Sequence, residues 1–192
     1  MIVTLSNLEA ATLVELLLCW IAWALAFIRP NRQAKGQKKT ETVSSSRWGI
    51  FVVSLGFFCA WVQVRPSQFH KSSASLIASM VIGPFAVALS WWATRHLGKQ
   101  WRYVAAVTEG HELITTGPYR FIRHPIYTSI FGMLMATVFA WSWWPLGIAA
   151  VVFYIAGTEI RIRAEDALLS ALFGEQFAAW RAVTPAYIPF IR

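Results

Sequence analysis

Three observations predict an all-α, polytopic membrane protein. Of the 192 residues, 57% are hydrophobic and 14% are charged, where ordinary soluble domains carry about 25% charged residues. The apolar residues gather into five runs, each longer than a typical strand. Fifteen of the seventeen Lys and Arg residues sit on alternate connectors between those runs or beyond the last one. A mean hydropathy of +0.50 excludes intrinsic disorder, and with 11 Trp and 13 Phe it argues against a soluble enzyme. The net charge of +8 is explained by topology, so no nucleic-acid partner is expected.

The first run, residues 8–28, is a full span at about 1.5 Å per residue. It has no basic n-region and no small-residue cleavage site, so it reads as a membrane helix and not a cleaved leader. The second and third runs cover 48–64 and 74–93. The fourth and fifth, 126–140 and 143–157, are separated only by Trp141-Ser142 and read as a tight helical hairpin, with Pro145 in the first turn of its second arm. Each arm is short of a roughly 30 Å core, but both feet lie on one side. Cys19 and Cys59 fall inside apolar runs and make neither a metal-site spacing nor a disulfide framework. No strand and no internal repeat is read.

The segment 29–47 holds six basic residues, 95–123 five, and the tail 161–192 four, while 65–73 holds two. The positive-inside rule therefore puts the N-terminus outside and the C-terminus in the cytoplasm, and the small size and short loops suggest the inner membrane of a prokaryote. Residues 1–93 are then three membrane segments. Residues 94–192 form a catalytic half made of a connector, the hairpin and cytosolic C-terminal helices. Glu15, in mid-span, reads as a helix-packing carboxyl.

Chemistry concentrates in Gly110-His-Glu-Leu-Ile-Thr-Thr-Gly-Pro-Tyr-Arg-Phe-Ile-Arg-His-Pro-Ile-Tyr127, which holds two His, two Arg and two Tyr directly before a membrane helix. Gly117-Pro118 marks a turn. His124-Pro125 fits a helix start, whose free amides near Ile126 and Tyr127 suit an anion. An interfacial belt explains Arg120, Arg123 and Tyr127, but not the turn and the paired histidines. A second block, Glu159-Ile-Arg-Ile-Arg-Ala-Glu-Asp-Ala-Leu-Leu169, runs straight out of the last apolar segment and leads to Phe173-Gly174-Glu175. Gly174 reads as a helix stop. Arg161 and Glu165 share a helix face at i,i+4, and charges emerging from a membrane helix line a wet cavity or the bundle interior.

Together with Trp180, Val183-Thr-Pro and Ile188-Pro189, these blocks resemble the isoprenylcysteine carboxyl methyltransferase family over roughly residues 94–190. The resemblance implies an integral membrane enzyme that uses S-adenosylmethionine at a site that is not a Rossmann fold and releases S-adenosylhomocysteine; the residue spacing suggests no metal site. It assigns cofactor contacts to His111, Glu112, Leu113, Ile114, Tyr119, His124, Pro125, Ile126, Tyr127 and Glu165, and the acceptor substrate to Arg161 as the catalytic residue. A position where family members often carry a polar residue aligns with Ala106. The chemistry of the residue types agrees. Glu165 suits an ammonium, the helix start and His124 suit a carboxylate, and Tyr119, Tyr127, Leu113 and Ile114 suit an adenine or a sulfonium. A carboxylate acceptor is ionised at pH 7 and needs a cation to orient it, not a base.

The expected reaction is methylation of the carboxylate of an isoprenylcysteine-like, prenylated or other lipid-like acceptor drawn from the membrane lipids. Two other enzymes share the motifs. A phospholipid amine N-methyltransferase would need a base, and a sterol-reductase-like protein using NADPH would have more spans. A non-catalytic membrane scaffold would need neither motif block. The topology carries a direct prediction. With Cys19 and Cys59 replaced, a cysteine at Glu175 should react with a membrane-impermeant thiol reagent only from the cytosolic side, and one at Ser72 only from outside; the reverse pattern would overturn the orientation.

Overall fold

The computed structural model describes residues 6–28, 39–42, 45–62, 71–98, 106–108 and 112–187. Five helices account for most of these: α1 (Asn7–Leu25), α2 (Ser45–Trp61), α3 (Ser73–Leu97), α4 (Pro125–Ala140) and α5 (Trp144–Val183). Each grows from one of the five apolar runs. α1, α3 and α5 are long and apolar enough to cross a membrane, and α2 and α4 are shorter apolar helices.

The helix starts follow local chemistry. Ser6 and Glu9 form a reciprocal capping box at α1. Ser72 caps α3 by accepting from the Ser75 amide. α4 and α5 each begin with a proline in the first turn, Pro125 and Pro145. The main departure from the apolar pattern is α5, which continues far past residue 157 and keeps its polar second half helical. It breaks only at Gly174, whose φ of +48° is a conformation that favours glycine.

α2 lies along α5 and α3 along α4, while α1 docks on α3 and α4. Glycines set the α2–α5 distance. A Cβ on Gly157 would come within 2.7 Å of the Gly49 carbonyl oxygen and of the Val53 nitrogen, and one on Gly56 within 2.8 Å of the Ala150 carbonyl oxygen. Small residues let membrane helices approach backbone to backbone, where lipid offers no hydrophobic drive for association. α1 is tied down by indole donors. Trp20 Nε1 donates to Thr137 Oγ1 at 3.1 Å and Trp23 Nε1 to Ser129 Oγ at 3.3 Å. In return, Trp91 Nε1 of α3 donates to the Ala22 carbonyl at 2.9 Å. Glu15 faces Gly83 of α3 and accepts from Cys19 Sγ at 3.1 Å, a packing arrangement inside the α1–α3 contact.

The far end of α4 is covered by donors from its neighbours. Ser79 Oγ, Lys71 Nζ and Ser75 Oγ donate to the carbonyls of Ala136, Val138 and Phe139 at 2.7–2.8 Å. The three-residue link to α5 is pinned by Ser142 Oγ donating to the Ala60 carbonyl at 2.5 Å. At the opposite end, Lys39–Thr42 and Ala106–Thr108 pair as a two-stranded antiparallel ladder, with Lys39 opposite Thr108 and Thr42 opposite Ala106. The sequence showed no such strand, because three or four residues leave no periodicity to read.

Gly157→Ala should lower the unfolding temperature of the detergent-solubilised protein, by an overpacking cost of about 1–3 kcal/mol. Ser170→Ala, on an exposed face of the same helix, should leave it unchanged.

Candidate functional site

The charged residues gather where the start of α4 meets the polar half of α5. Arg123 and His124 stand just before α4, and Glu165 and Asp166 lie on α5 beyond its apolar stretch. Arg123 Nη1 binds Asp166 Oδ2 at 3.1 Å, with both side chains buried. His124 is held on both sides, with Nε2 3.0 Å from Asp166 Oδ1 and Nδ1 3.3 Å from Glu165 Oε2. The Tyr127 hydroxyl donates to the second oxygen of Glu165, and Arg181 Nε approaches Asp166 Oδ2 at 3.9 Å. Two adjacent cations thus meet two adjacent anions, and the match in number is what makes burial of these charges tolerable.

Backbone geometry fixes this arrangement. The chain after α5 turns back, so that the amides of Arg123 and His124 donate to the carbonyls of Pro185 and Ala186, both at 2.8 Å. Thr128 Oγ1 donates to the Tyr187 carbonyl. Tyr154 of α5 donates to the Tyr127 carbonyl at 2.5 Å, linking α5 to the first turn of α4. His124 occupies the N-cap of α4, but its side chain does not cap the helix; it turns to the carboxylates instead.

Because both ring nitrogens of His124 face carboxylates, both donate and the ring carries a proton. Burial alone would lower its pKa, but Asp166 and Glu165 outweigh burial and hold it above its ordinary 6.5. Burial would raise Glu165, but His124 first, then Arg161 and Tyr127, hold it below its ordinary 4.5. Asp166 follows the same pattern: burial is outweighed by His124, Arg123 and Arg181, and it stays below 3.8.

Tyr119 reaches the same region from a 3₁₀ turn, Gly117–Arg120, that starts at Gly117 with φ +61°. Its ring is buried. Burial, then the charge of Glu165, push its phenol well above the ordinary range, so it remains an O–H donor. Among the described residues that hydroxyl has no partner. Arg161 lies over the ring of Tyr127, with its guanidinium carbon 4.9 Å from the centroid, and its stem passes the Cα of Gly49.

The structure thus brings together Tyr119, His124, Tyr127, Arg161 and Glu165 of the residues singled out from the sequence. Pro125 is buried and Ile126 half-buried in the first turn of α4. Glu112 is exposed, and Leu113 and Ile114 are half-buried on the extended approach to the turn. His111 lies outside the described residues. Arg161 lies over Tyr127, while Glu159 and Arg163 make an i,i+4 ion pair at 3.6 Å on the same stretch of α5. His124, to which the resemblance assigns a cofactor contact, is engaged by two carboxylates of the chain itself. The sequence reading missed Arg181 and Tyr154, and it quoted Asp166, Arg123 and the Val183-Thr-Pro stretch within the motif blocks without giving them a role. The usable signal was an adjacent Arg-His pair matched by an adjacent Glu-Asp pair.

Apolar helices long enough to cross a membrane, converging on a charged, tyrosine-lined knot, are the architecture of a polytopic membrane protein. The comparisons name its kind. The model of the isoprenylcysteine carboxyl methyltransferase family matches residues 77–171, which contain α4, the turn and the first half of the knot-bearing helix. The chain is 26% identical over 164 residues to the uncharacterized protein YpbQ of Bacillus subtilis (strain 168), an alignment covering 82% of this chain and 94% of that one. It is 31% identical over 146 residues to the cobalt-zinc-cadmium resistance protein CzcN of Cupriavidus metallidurans, covering 74% of this chain and 63% of that protein. The chain belongs to the isoprenylcysteine carboxyl methyltransferase family, and with it to the membrane methyltransferases.

The knot predicts a pH profile of stability. The raised His124 stabilises the fold fully below pH 6.5 and stops doing so as pH rises through its folded value. The lowered Glu165 and Asp166 stabilise it fully above 4.5 and stop doing so as pH falls through theirs. The unfolding temperature should therefore be highest between about pH 4.5 and 6.5 and fall on both sides. His124→Gln should lower the maximum and flatten the alkaline fall; an unchanged alkaline fall in that variant would exclude His124 as its source.

Proposed function

We propose that the protein transfers a methyl group from S-adenosylmethionine to the carboxylate of an isoprenylcysteine-like or other amphiphilic acceptor taken from the bilayer. One observation carries this reading. Across the single ring of Tyr127, an arginine lies on the face while a carboxylate takes the hydroxyl. A cation for an acceptor and an anion for an ammonium therefore stand within one side chain's width of each other.

The donor set fits the cofactor. The buried, unpartnered Tyr119 hydroxyl is a donor available to a group that the chain does not itself supply. Glu165, ionised and partly exposed, suits the ammonium of the amino-acid end. Tyr119 and Tyr127 offer aromatic faces to an adenine or a sulfonium. Leu113 and Ile114 would line the apolar side, joined by His111, Glu112, Pro125 and Ile126 as the remaining contacts. When bound, S-adenosylmethionine supplies a methyl group activated by its sulfonium. His124 and Asp166 act on the site by fixing Glu165. Arg161 orients the acceptor carboxylate through a planar two-pronged contact and neutralises its charge on approach. In a displacement with no proton to remove, positioning and exclusion of water do most of the work. The basic connectors support a cytosolic site and a cofactor supplied from the cytosol.

The test is to measure S-adenosylmethionine affinity and methyl transfer to N-acetyl-S-farnesyl-cysteine in one preparation. The wild type should do both. Arg161→Lys should keep cofactor affinity and lose most of its turnover, because a lysine cannot reproduce the planar fork. Retained turnover would reject the acceptor role of Arg161, and a wild type that methylates only an amine lipid would reject the carboxyl chemistry.

A further inference from the structure

One side chain in contact with the site belongs to neither motif block. His96, on the last turn of α3, is exposed, yet its imidazole lies flat against Gly117. A Cβ built on Gly117 would fall 2.3–2.6 Å from the ring atoms Cδ2, Nε2 and Cγ. The ring is held from behind. Its Nδ1 is 3.0 Å from the Trp92 carbonyl, and because a carbonyl only accepts, that nitrogen carries the proton and the ring orientation is set. Trp92 also stands edge-on to His96 at 6.2 Å and contacts Phe121, just beyond the turn, at 6.5 Å. Two residues after Gly117 comes Tyr119, whose buried hydroxyl is the unpartnered donor of the proposed cofactor site.

We infer that His96 is a positioning residue: its imidazole, braced on the Trp92 carbonyl and packed against Gly117, fixes the 3₁₀ turn that aims Tyr119 into the cofactor site. The turn is otherwise held by few internal bonds, from the amides of Tyr119, Phe121 and Ile122 to the carbonyls of Thr116 and Pro118 at 3.1–3.2 Å. Short 3₁₀ turns of this kind have poor hydrogen-bond geometry and draw their rigidity from what packs on them. Gly117 suits the turn twice, through its positive φ and because a Cβ there would displace the His96 ring. The inference rests on the cofactor assignment above, and its test separates the two.

The first arm needs no cofactor. In the unliganded protein, His96→Ala should speed hydrogen exchange at the amides of Tyr119, Phe121 and Ile122 while leaving exchange in α4 and the unfolding temperature nearly unchanged. The second arm is calorimetry. His96→Ala should raise the Kd for S-adenosylmethionine several-fold, and in turnover should raise the cofactor KM while sparing kcat and the acceptor KM. A third arm is a double-mutant cycle on Kd. Gly117→Ala should cost less in the His96→Ala background than in the wild type, because the collision is gone and only the φ strain remains. Unchanged exchange at the turn, or a Kd equal to that of a wild type that does bind, would overturn the positioning role alone. A wild type that binds no S-adenosylmethionine would overturn the functional reading and this inference with it.

Discussion

The structure depends on one electrostatic constraint, the burial of Arg123 and His124 against Glu165 and Asp166. A charge taken out of water is costly unless it is paired and hydrogen-bonded, and removing one partner of a buried pair costs about 3–5 kcal/mol. Everything around the knot serves the pairing. α5 stays helical past its apolar stretch, because only an unbroken helix delivers two consecutive carboxylates to the same imidazole from positions about 100° apart. Segment 184–187 satisfies the amides of Arg123 and His124, so the backbone that carries the cations is fixed before their side chains are considered. The close α2–α5 contact at Gly49 and Gly157 lets the stem of Arg161 pass where a larger residue would stand.

The knot also separates two kinds of residue within one motif. His124 and Asp166 are spent on each other and set the direction of Glu165. Tyr119 and Arg161 reach the same place from other elements, and the Tyr119 hydroxyl has no partner among the described residues. A site organised this way has a rigid charged floor with a buried donor beside it, as expected where binding energy goes into orienting reactants.

Much of the fold was legible because the bilayer simplifies the sequence signal. Five apolar runs gave five helices, and Pro125 and Pro145 marked starts through chemistry that acts over a few residues; the Ser6 and Ser72 caps act over the same range but were not read. The end of α5 was less legible, since hydropathy fades at residue 157 while the helix does not; Gly174 was the better signal, because its backbone requirement is local. For the site, the His-Pro-x-Tyr stretch and the Arg-x-x-x-Glu spacing named residues that the fold brings into one region. The pairing within it could not be read. Whether Arg161 turns to Glu165 or to Tyr127, and whether His124 faces a ligand or Asp166, depends on the crossing of α4 and α5 and on a tail some sixty residues away. Sequence spacing carries no information about either. The ladder between 39–42 and 106–108 was invisible for the same reason.

The side-chain donors around the far end of α4 have a consequence for the bilayer. Sixteen residues span about 24 Å, roughly 6 Å less than a typical hydrocarbon core. A lone helix of that length would force lipid to thin around it or expose its terminal carbonyls to acyl chains. Here Lys71, Ser75 and Ser79 stand where interfacial water would otherwise be needed, so the mismatch is absorbed inside the protein. The helix can be short without presenting those carbonyls to lipid, and its other end is positioned by the charged knot together with segment 184–187 and Tyr154.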